Sequence, residues 1–397
     1  LISQKVVVVN LSSSGSRIGG AAIAAEFHSR YMAMDYPVEL WRMWDKDEYV
    51  DLQGLKVRNY LTTSKLRRLK TFFPHQLGAC FLTSKILDDI RKEQPDIIHL
   101  QNPLPALVFE EIAYTASCLG IKTVASTHGF FEILNPNYGF KKHEKIAWKY
   151  LITQPILRAL NYIDTILSGY PQEREMLISC GIPQEKISLV PNGVNPFFLA
   201  SPSESDYLHI FKKFHLKEDR PILLFIGNHT ANKGLDTIMK VAGQLSQPAT
   251  LVVGGKLLSP DEPRQWQVKL PTNSKVNLIF TDFLSLEEQR ALYYLSTLLL
   301  FPSVSDTLPL TIIEAMASGL PVVAYDVGGI SYQLANNSGS VIRKGEFANY
   351  LQSVESLLSD QDQRSLIAKN AKARQQKIFS WASAAQKTIS VYQTLLD

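Results

Sequence analysis

Two carboxylates eight residues apart, Asp306 and Glu314, offer the plainest chemistry in this sequence. They lie in Ser303-Val-Ser-Asp-Thr-Leu-Pro-Leu-Thr-Ile-Ile-Glu-Ala-Met-Ala-Ser-Gly-Leu-Pro-Val-Val323, where an apolar run gives way to a short loop and the spacing predicts a helix opening near Thr311. The free N–H groups and the positive dipole end of such a helix favour an anion, above all a phosphate. An ionised carboxylate is acceptor-only and can take both hydroxyls of a diol. Asp306 before the helix and Glu314 one turn into it therefore suit a ribose and a sugar flanking a phosphate. Two solvated acids on a capped core helix are the alternative. A cation stands in Gly227-Asn-His-Thr-Ala-Asn-Lys-Gly234, a loop between an apolar run and a helical segment, where the Lys233 ammonium would reach a phosphate. A preorganised charge of this kind stabilises a leaving diphosphate without a metal; a lone Lys-Gly also fits an ordinary solvated turn. His128 closes the run Thr123–Thr127, where open α/β sheets present ligand groups, although a strand-end histidine also serves structure. Gly19 and Gly20, following Val6–Asn10, would let backbone approach a ligand closely. Ser14-Gly-Ser-Arg-Ile-Gly-Gly20 is not the G-x-G-x-x-G of a dinucleotide site, and a plain structural turn stays open.

The elements that must position these groups alternate in type. Strands are expected at Val6–Asn10, Val38–Met43, Ile97–Gln101, Thr123–Thr127, Ile163–Ser168 and Ile187–Pro191. Helical periodicity fills Ala21–Met34, Leu82–Lys92, Leu104–Leu119, Lys142–Leu160 and Gln172–Ser179. The alternation restarts with strands at Ile222–Ile226, Thr250–Gly254, Val276–Thr281, Leu298–Pro302, Pro321–Asp326 and Ser340–Ile342. Strands alternating with helices make parallel, doubly wound sheets. The turn-rich Pro191-Asn-Gly-Val-Asn-Pro196 marks the junction, giving an α/β chain of two domains, residues 1–193 and 194–379. The last periodic segment, within residues 380–397, is too short for a third domain and must pack on what precedes it.

Bulk composition agrees. A chain of 397 residues is too long for one ordinary core, and 45% apolar with 20% charged residues describes a globular protein. A net charge of +4 over this length gives no ground for a nucleic-acid partner. Cys80, Cys118 and Cys180 are far apart and lack metal or disulfide spacing. Val6–Val9 is too short for a signal peptide and no uncharged run suffices to span a bilayer, so a cytoplasmic protein is expected. Asp45-Lys-Asp47 and Asp360-Gln-Asp362 match D-x-D, but neither falls on a loop of the expected cleft, so no metal is expected. Between Leu52 and Leu87 there is no acid, while Lys56, Arg58, Lys65, Arg67, Arg68, Lys70 and Lys85 gather beside Phe72, Phe73 and Phe81. Residues 56–85 can thus dock on an anionic membrane face or form an ordinary basic surface.

Asp306 and Glu314 followed by Ala-Met-Ala-Ser-Gly-Leu-Pro-Val-Val closely resemble the E-x7-E segment of the glycogen-synthase-like, family-four retaining glycosyltransferases. Gly227–Gly234 is similar to that family's G-R-x4-K-G loop, Thr127-His-Gly129 to its histidine motif, Ile187–Val194 to its linker and Phe379–Leu396 to its final helix. The resemblance covers nearly the whole chain. It implies the GT-B fold, two facing Rossmann-like domains with a C-terminal crossover helix, the first domain on the acceptor side and the second binding nucleotide-sugar. It further implies catalytic roles for His128, Lys233 and Asp306. Donor contacts would come from Gly19, Gly20, Asn228, Phe283, Leu308, Leu310, Thr311 and Glu314, with Ser16 and Arg17 toward the acceptor. Glu314 would hold the ribose, Asp306 a sugar hydroxyl, and the N–H groups of Leu310 and Thr311 the diphosphate. Three positions depart: Asp306 is shorter than the usual Glu, Asn228 replaces Arg, and Pro309 replaces Gly and brings no N–H.

The function implied is retaining, metal-independent sugar transfer, with UDP-glucose as the expected donor and GDP-mannose the alternative. The acceptor would be a hydroxyl of a glycan or lipid-linked glycan in polysaccharide or glycolipid assembly, with peripheral attachment at the cytoplasmic membrane face. A dehydrogenase or epimerase would need the absent dinucleotide fingerprint and a Tyr-x-x-x-Lys near the cleft. A non-catalytic nucleotide-sugar binder is favoured only by Asn228 and Pro309.

Overall fold

Strands that read as unbroken apolar runs must be covered on both faces, and Val6–Val9 are indeed 0% exposed. The computed structural model describes residues 4–12, 20–64, 77, 79–134, 141–217 and 219–397. It divides into two compact units, residues 1–193 with 380–397, and residues 194–379.

The first unit is built on strands β1 (Val6–Asn10), β2 (Val38–Trp44), β3 (Glu48–Leu52), β4 (Leu55–Leu61), β7 (Ile97–Gln101), β8 (Lys122–Ser126), β9 (Thr165–Ser168) and β10 (Ile187–Leu189); β5 (Thr63–Ser64) and β6 (Leu82–Thr83) form a separate ribbon. The order is β10-β9-β8-β7-β1-β2-β4-β3, parallel except where β3 runs against β4. The chain leaves β1 toward β2 and later returns to β7 on its other side, which opens a crevice between the ends of β1 and β7. The second unit carries β11 (Ile222–Ile226), β12 (Ala249–Gly254), β13 (Val276–Asp282), β14 (Leu298–Phe301), β15 (Val322–Asp326) and β16 (Ser340–Arg343) in the order β13-β12-β11-β14-β15-β16, all parallel. Its corresponding crevice lies between the ends of β11 and β14.

The helix Trp381–Leu396 packs on the first unit. Trp381, Ala384, Ala385, Thr388, Ile389 and Tyr392 form its buried face and join a core with Val6, Val8, Leu40 and Val57. Gly193 is required beneath it, because a Cβ there would come 2.2 Å from the Trp381 nitrogen.

Several local expectations are corrected. The β3–β4 hairpin was not expected, because the β3 face is half open and shows no apolar alternation. It is made by Gln53 and Gly54, both at positive φ, with the Gly54 N–H donating to Asp51 Oδ1 at 2.7 Å. Arg58 of β4 is therefore not free basic surface. It pairs with Asp89 at 2.5 Å and Glu93 at 2.7 Å and lies over the Trp41, Tyr49 and Tyr60 rings. Of the others, Lys56 and Lys85 are exposed, and Lys65, Arg67, Arg68 and Lys70 with Phe72 and Phe73 lie outside the described residues. The helix expected from Leu82 begins at Ile86, Leu82 and Thr83 being spent on β6, and a short helix at Phe130–Leu134 was not foreseen. Lys142–Leu160 is broken into Lys142–Trp148, a π-turn at Lys149–Thr153 and a helix Gln154–Tyr162. Pro155 has no N–H to return one turn, and the ladder slips just before it. Among the described residues no helix is long and apolar enough to cross a membrane.

Candidate functional site

In the second unit the crevice is bounded by the loops after β11 and β14, and each delivers one charge. Gly234 must be glycine: its φ is +80° and a Cβ would meet the Pro302 carbonyl oxygen at 2.1 Å. That close approach seats the lysine loop on the acid loop. The Ser303 hydroxyl donates to Asn232 O at 3.0 Å and the Val304 N–H to the same oxygen at 2.9 Å. Lys233 Nζ consequently lies 2.7 and 2.8 Å from the two Asp306 carboxylate oxygens. The pair is partly exposed, so it holds both groups in place at little net energy while leaving them open to a ligand. Lys233 was expected to meet a phosphate and Asp306 a hydroxyl; in the structure they meet each other.

The helix after this loop spans Leu310–Ser318, with extended Pro309 as its N-cap and no side-chain cap bond. The amides of Leu310 and Thr311 open the helix and Leu308 is buried just before it. Gln333 Nε2 donates to Pro309 O at 3.0 Å, and the Gly329 N–H to Thr307 O at 2.6 Å, so the loop after β15 fixes this entry. Glu314 is half-buried one turn further on, and the Tyr293 hydroxyl donates to its Oε2 at 2.9 Å. Burial pushes the Glu314 carboxyl up to about 7, against the opposing effect of the Tyr293 bond. The acid expected to be fully ionised is thus poised to titrate near neutrality. Asn228 is exposed beside buried His229, whose Nδ1 lies 3.1 Å from Glu262 Oε1. Phe283, after β13, is 78% exposed.

In the first unit Ser16, Arg17 and Gly19 lie outside the described residues, and Gly20 opens the helix Gly20–Ala33. Asn102 Nδ2 donates to Ser12 Oγ at 2.8 Å, tying together the loops after β1 and β7. His128 follows β8 in a left-handed conformation, φ +40°, which costs a non-glycine residue about 1–3 kcal/mol and persists only where its surroundings impose it. Glu173 supplies part of that imposition. It is buried, and its carboxylate accepts from the Gly169 N–H at 2.9 Å, the Ser168 hydroxyl at 3.2 Å and the Phe130 N–H at 3.3 Å. Burial raises its pKa, with these bonds opposing. His128 is half-buried and its Nε2 bonds Gln101 Oε1; burial holds the ring neutral, its pKa lowered to about 4.

The model of Glycosyltransferase Family 4 matches residues 18–197 and that of Glycosyl transferases group 1 matches residues 206–374, so the two together take in most of the chain. The chain belongs to the family 4 glycosyltransferases. Among relatives, a sulfoquinovosyl transferase of Arabidopsis thaliana is 26% identical over 77% of this chain and 58% of its own length. An uncharacterised glycosyltransferase of Methanocaldococcus jannaschii is 26% identical over 89% and 88%. The chain therefore spans little more than half of the plant enzyme and most of the archaeal one. Among solved structures, sucrose-phosphate synthase of Thermosynechococcus elongatus has a TM-score of 0.72 at 18% identity, over 99% of both chains. HepE of Anabaena, crystallised with UDP, has a TM-score of 0.73 at 17% identity, over 98% of this chain and 100% of that one. The fold of this glycosyltransferase is GT-B.

Sequence reasoning named the charged residues of this glycosyltransferase but missed those that hold them. Tyr293 has no local signal: it faces Glu314 only because its helix, Leu286–Leu295, packs beside Leu310–Ser318. Glu173 looks like any first-turn acid. His99 and Gln101 did leave a trace, as polar residues two apart within the otherwise apolar β7, Ile97-Ile-His-Leu-Gln101. Among the described residues no group of three or more His, Cys, Asp or Glu is placed to hold a metal.

Proposed function

We propose that this glycosyltransferase takes glucose from UDP-glucose and transfers it, with retention and without a divalent ion, to a hydroxyl of a glycan or lipid-linked glycan. The observation that carries this reading is the Lys233–Asp306 pair set at the switch-point crevice beside the uncapped start of the Leu310–Ser318 helix. In this reading the diphosphate takes the Lys233 ammonium and the Leu310 and Thr311 N–H groups, a combination of charge and dipole that offsets the developing leaving-group charge. Asp306, displaced from lysine by phosphate, is then free to accept from a sugar hydroxyl, and Glu314 accepts from the ribose. Exposed Phe283 offers the base an aromatic face. In this reading the first unit takes the acceptor, and the ligand of His128 is a sugar hydroxyl. As the C1–O bond to phosphate breaks, the acceptor oxygen bonds C1 on the same face and its proton passes to the departing phosphate oxygen. HepE, of the same fold, was crystallised with UDP-glucose, which favours that donor over GDP-mannose.

Membrane attachment is part of the proposal. Its best-supported surface is Lys141–Tyr150, where Lys141, Lys142, Lys145 and Lys149 are exposed beside Ile146, 53% exposed, and Tyr150, 63% exposed, while Trp148 anchors the inner face. A basic helix with apolar side chains on its outer face suits an anionic lipid surface and a lipid-linked acceptor. The test of the function is calorimetry with UDP, GDP and ADP, followed by incubation with each matching nucleotide-sugar. UDP binding with release of α-glucose or an α-glucoside is expected. Preference for GDP, or a β-linked product, would overturn donor or stereochemistry respectively.

A further inference from the structure

Beneath His128 lies a buried polar network that no part of the proposed reaction uses. Gln101 and His99 on β7, His28 on the Gly20–Ala33 helix, and Thr388 and Tyr392 on the Trp381–Leu396 helix are all buried. Polar groups this deep are costly unless every proton has an acceptor, so the bonds can be assigned by following the protons. The Thr388 hydroxyl has one, and it goes to Ala384 O at 2.9 Å. His28 Nε2, 3.0 Å from Thr388 Oγ1, must therefore be the donor of that bond. Burial keeps His28 neutral, its pKa lowered to about 4, so its Nδ1 is a lone pair. Gln101 Nε2 lies 3.5 Å from that lone pair and 3.1 Å from His99 Nε2. The Gln101 amide nitrogen consequently faces inward and its oxygen faces His128.

His99 fits the same orientation. With the Gln101 amide nitrogen turned inward, its Nε2 is the acceptor for Gln101 and for the Ser126 hydroxyl 2.8 Å away. Its own proton is then on Nδ1 and is donated to the Tyr392 oxygen at 2.5 Å, whose hydroxyl turns to Met32 Sδ at 3.5 Å. Flipping the Gln101 amide would set its oxygen against the His28 lone pair. The last member follows: Gln101 Oε1 accepts, so His128 carries its proton on Nε2.

We propose that Gln101 and His28, anchored by Thr388 of the C-terminal helix, are positioning residues that lock His128 as the Nε2–H tautomer and leave its Nδ1 as the hydrogen-bond acceptor offered to the ligand. No hydrogen bond engages Nδ1 among the described residues, and the half-buried ring retains exposed surface. A neutral acceptor recognises a hydroxyl and repels a phosphate oxygen, so the ligand group at His128 is a sugar hydroxyl. This last step rests on the donor site proposed above; the tautomer does not.

The test is nitrogen-detected NMR of the full chain with ring-labelled histidine, His128 being assigned through His128→Phe. In the ligand-free protein His128 should show a protonated Nε2 and an unprotonated Nδ1. Gln101→Leu should populate the Nδ1–H form. Thr388→Val, nearly isosteric and not in contact with His128, should mix the tautomers of both His28 and His128. An Nδ1–H His128 in the parent protein, or an unchanged Nε2–H signal in Gln101→Leu or Thr388→Val, overturns the proposal. In parallel, Gln101→Leu should lower kcat for donor hydrolysis about tenfold. Tautomer changes as expected with no change in turnover would leave the lock standing and remove His128 from the sugar.

Discussion

If Glu314 holds the ribose, nucleotide binding must expel a proton. Its carboxyl is raised from 4.5 to about 7 by burial, so between those values the folded chain keeps a proton that the unfolded chain releases. At 1.36 kcal/mol per tenfold change in proton affinity, ionising Glu314 in the folded chain costs about 3 kcal/mol more than in the unfolded one. This destabilisation is absent below the unfolded value, grows with rising pH and is complete above the folded one. Ribose hydroxyls donate to the carboxylate and favour its ionised form. The protein should therefore release about half a proton per UDP at pH 7, about 0.9 at pH 6 and about 0.1 at pH 8. Affinity should fall by roughly tenfold per pH unit below 7 until the bound-state pKa is reached. The assay is titration calorimetry in two buffers of different ionisation enthalpy at each pH, on the parent protein and Glu314→Gln. The difference between the two proteins isolates Glu314 from the nucleotide's own phosphate. Glu314→Gln should also unfold at higher denaturant at pH 8, by up to about 3 kcal/mol, and match the parent near pH 4. Equal proton release by the two proteins at pH 6 would refute the ribose contact. Equal stability at pH 8 would refute the raised pKa.

Lys233→Ala should reduce turnover by about 10²–10³, the loss expected for one preorganised charge stabiliser, with circular dichroism unchanged; near-normal turnover would take Lys233 off the leaving group. Turnover should survive EDTA and dialysis, since Lys233 and the Leu310 helix start supply the charge; abolition by chelator with rescue by manganese would reverse that assignment. The protein should bind anionic liposomes in low salt and not neutral ones, at about 1 kcal/mol for each basic residue near the surface. Lys142, Lys145 and Lys149 replaced together by Ser should abolish sedimentation with the liposomes while sparing donor hydrolysis, and undiminished sedimentation would exclude this surface.

The parallel sheets were legible because their strands are short apolar runs bounded by turns, as in Val6–Asn10 and Leu298–Phe301, and such runs have few other uses. The β3–β4 hairpin was not, since a half-exposed strand such as Glu48–Leu52 carries no burial signal. The Pro155 disturbance was visible in principle, as proline inside a helical period, yet where the ladder slips depends on packing. The acids and the lysine stood out by type and spacing. That Lys233 and Asp306, 73 residues apart, meet each other is fixed by the adjacency of β11 and β14, which composition and periodicity do not encode. The same holds for Tyr293 against Glu314 and for the histidines beneath His128, whose partners are set by tertiary contacts alone.

The return of Trp381–Leu396 to the first unit has a consequence for the order of assembly. The second unit is one uninterrupted stretch of chain, whereas the first is split around it. On the ribosome, residues 194–379 are complete before the helix that covers Val6, Val8, Leu40 and Val57 has been made. Until then that apolar face is open, and His28 lacks Thr388, its partner 360 residues away. Closing so long a loop is slow. The nascent protein thus passes through an interval in which one half is finished and the other waits for its last helix, and aggregation or chaperone capture during synthesis belongs to the half that was begun first.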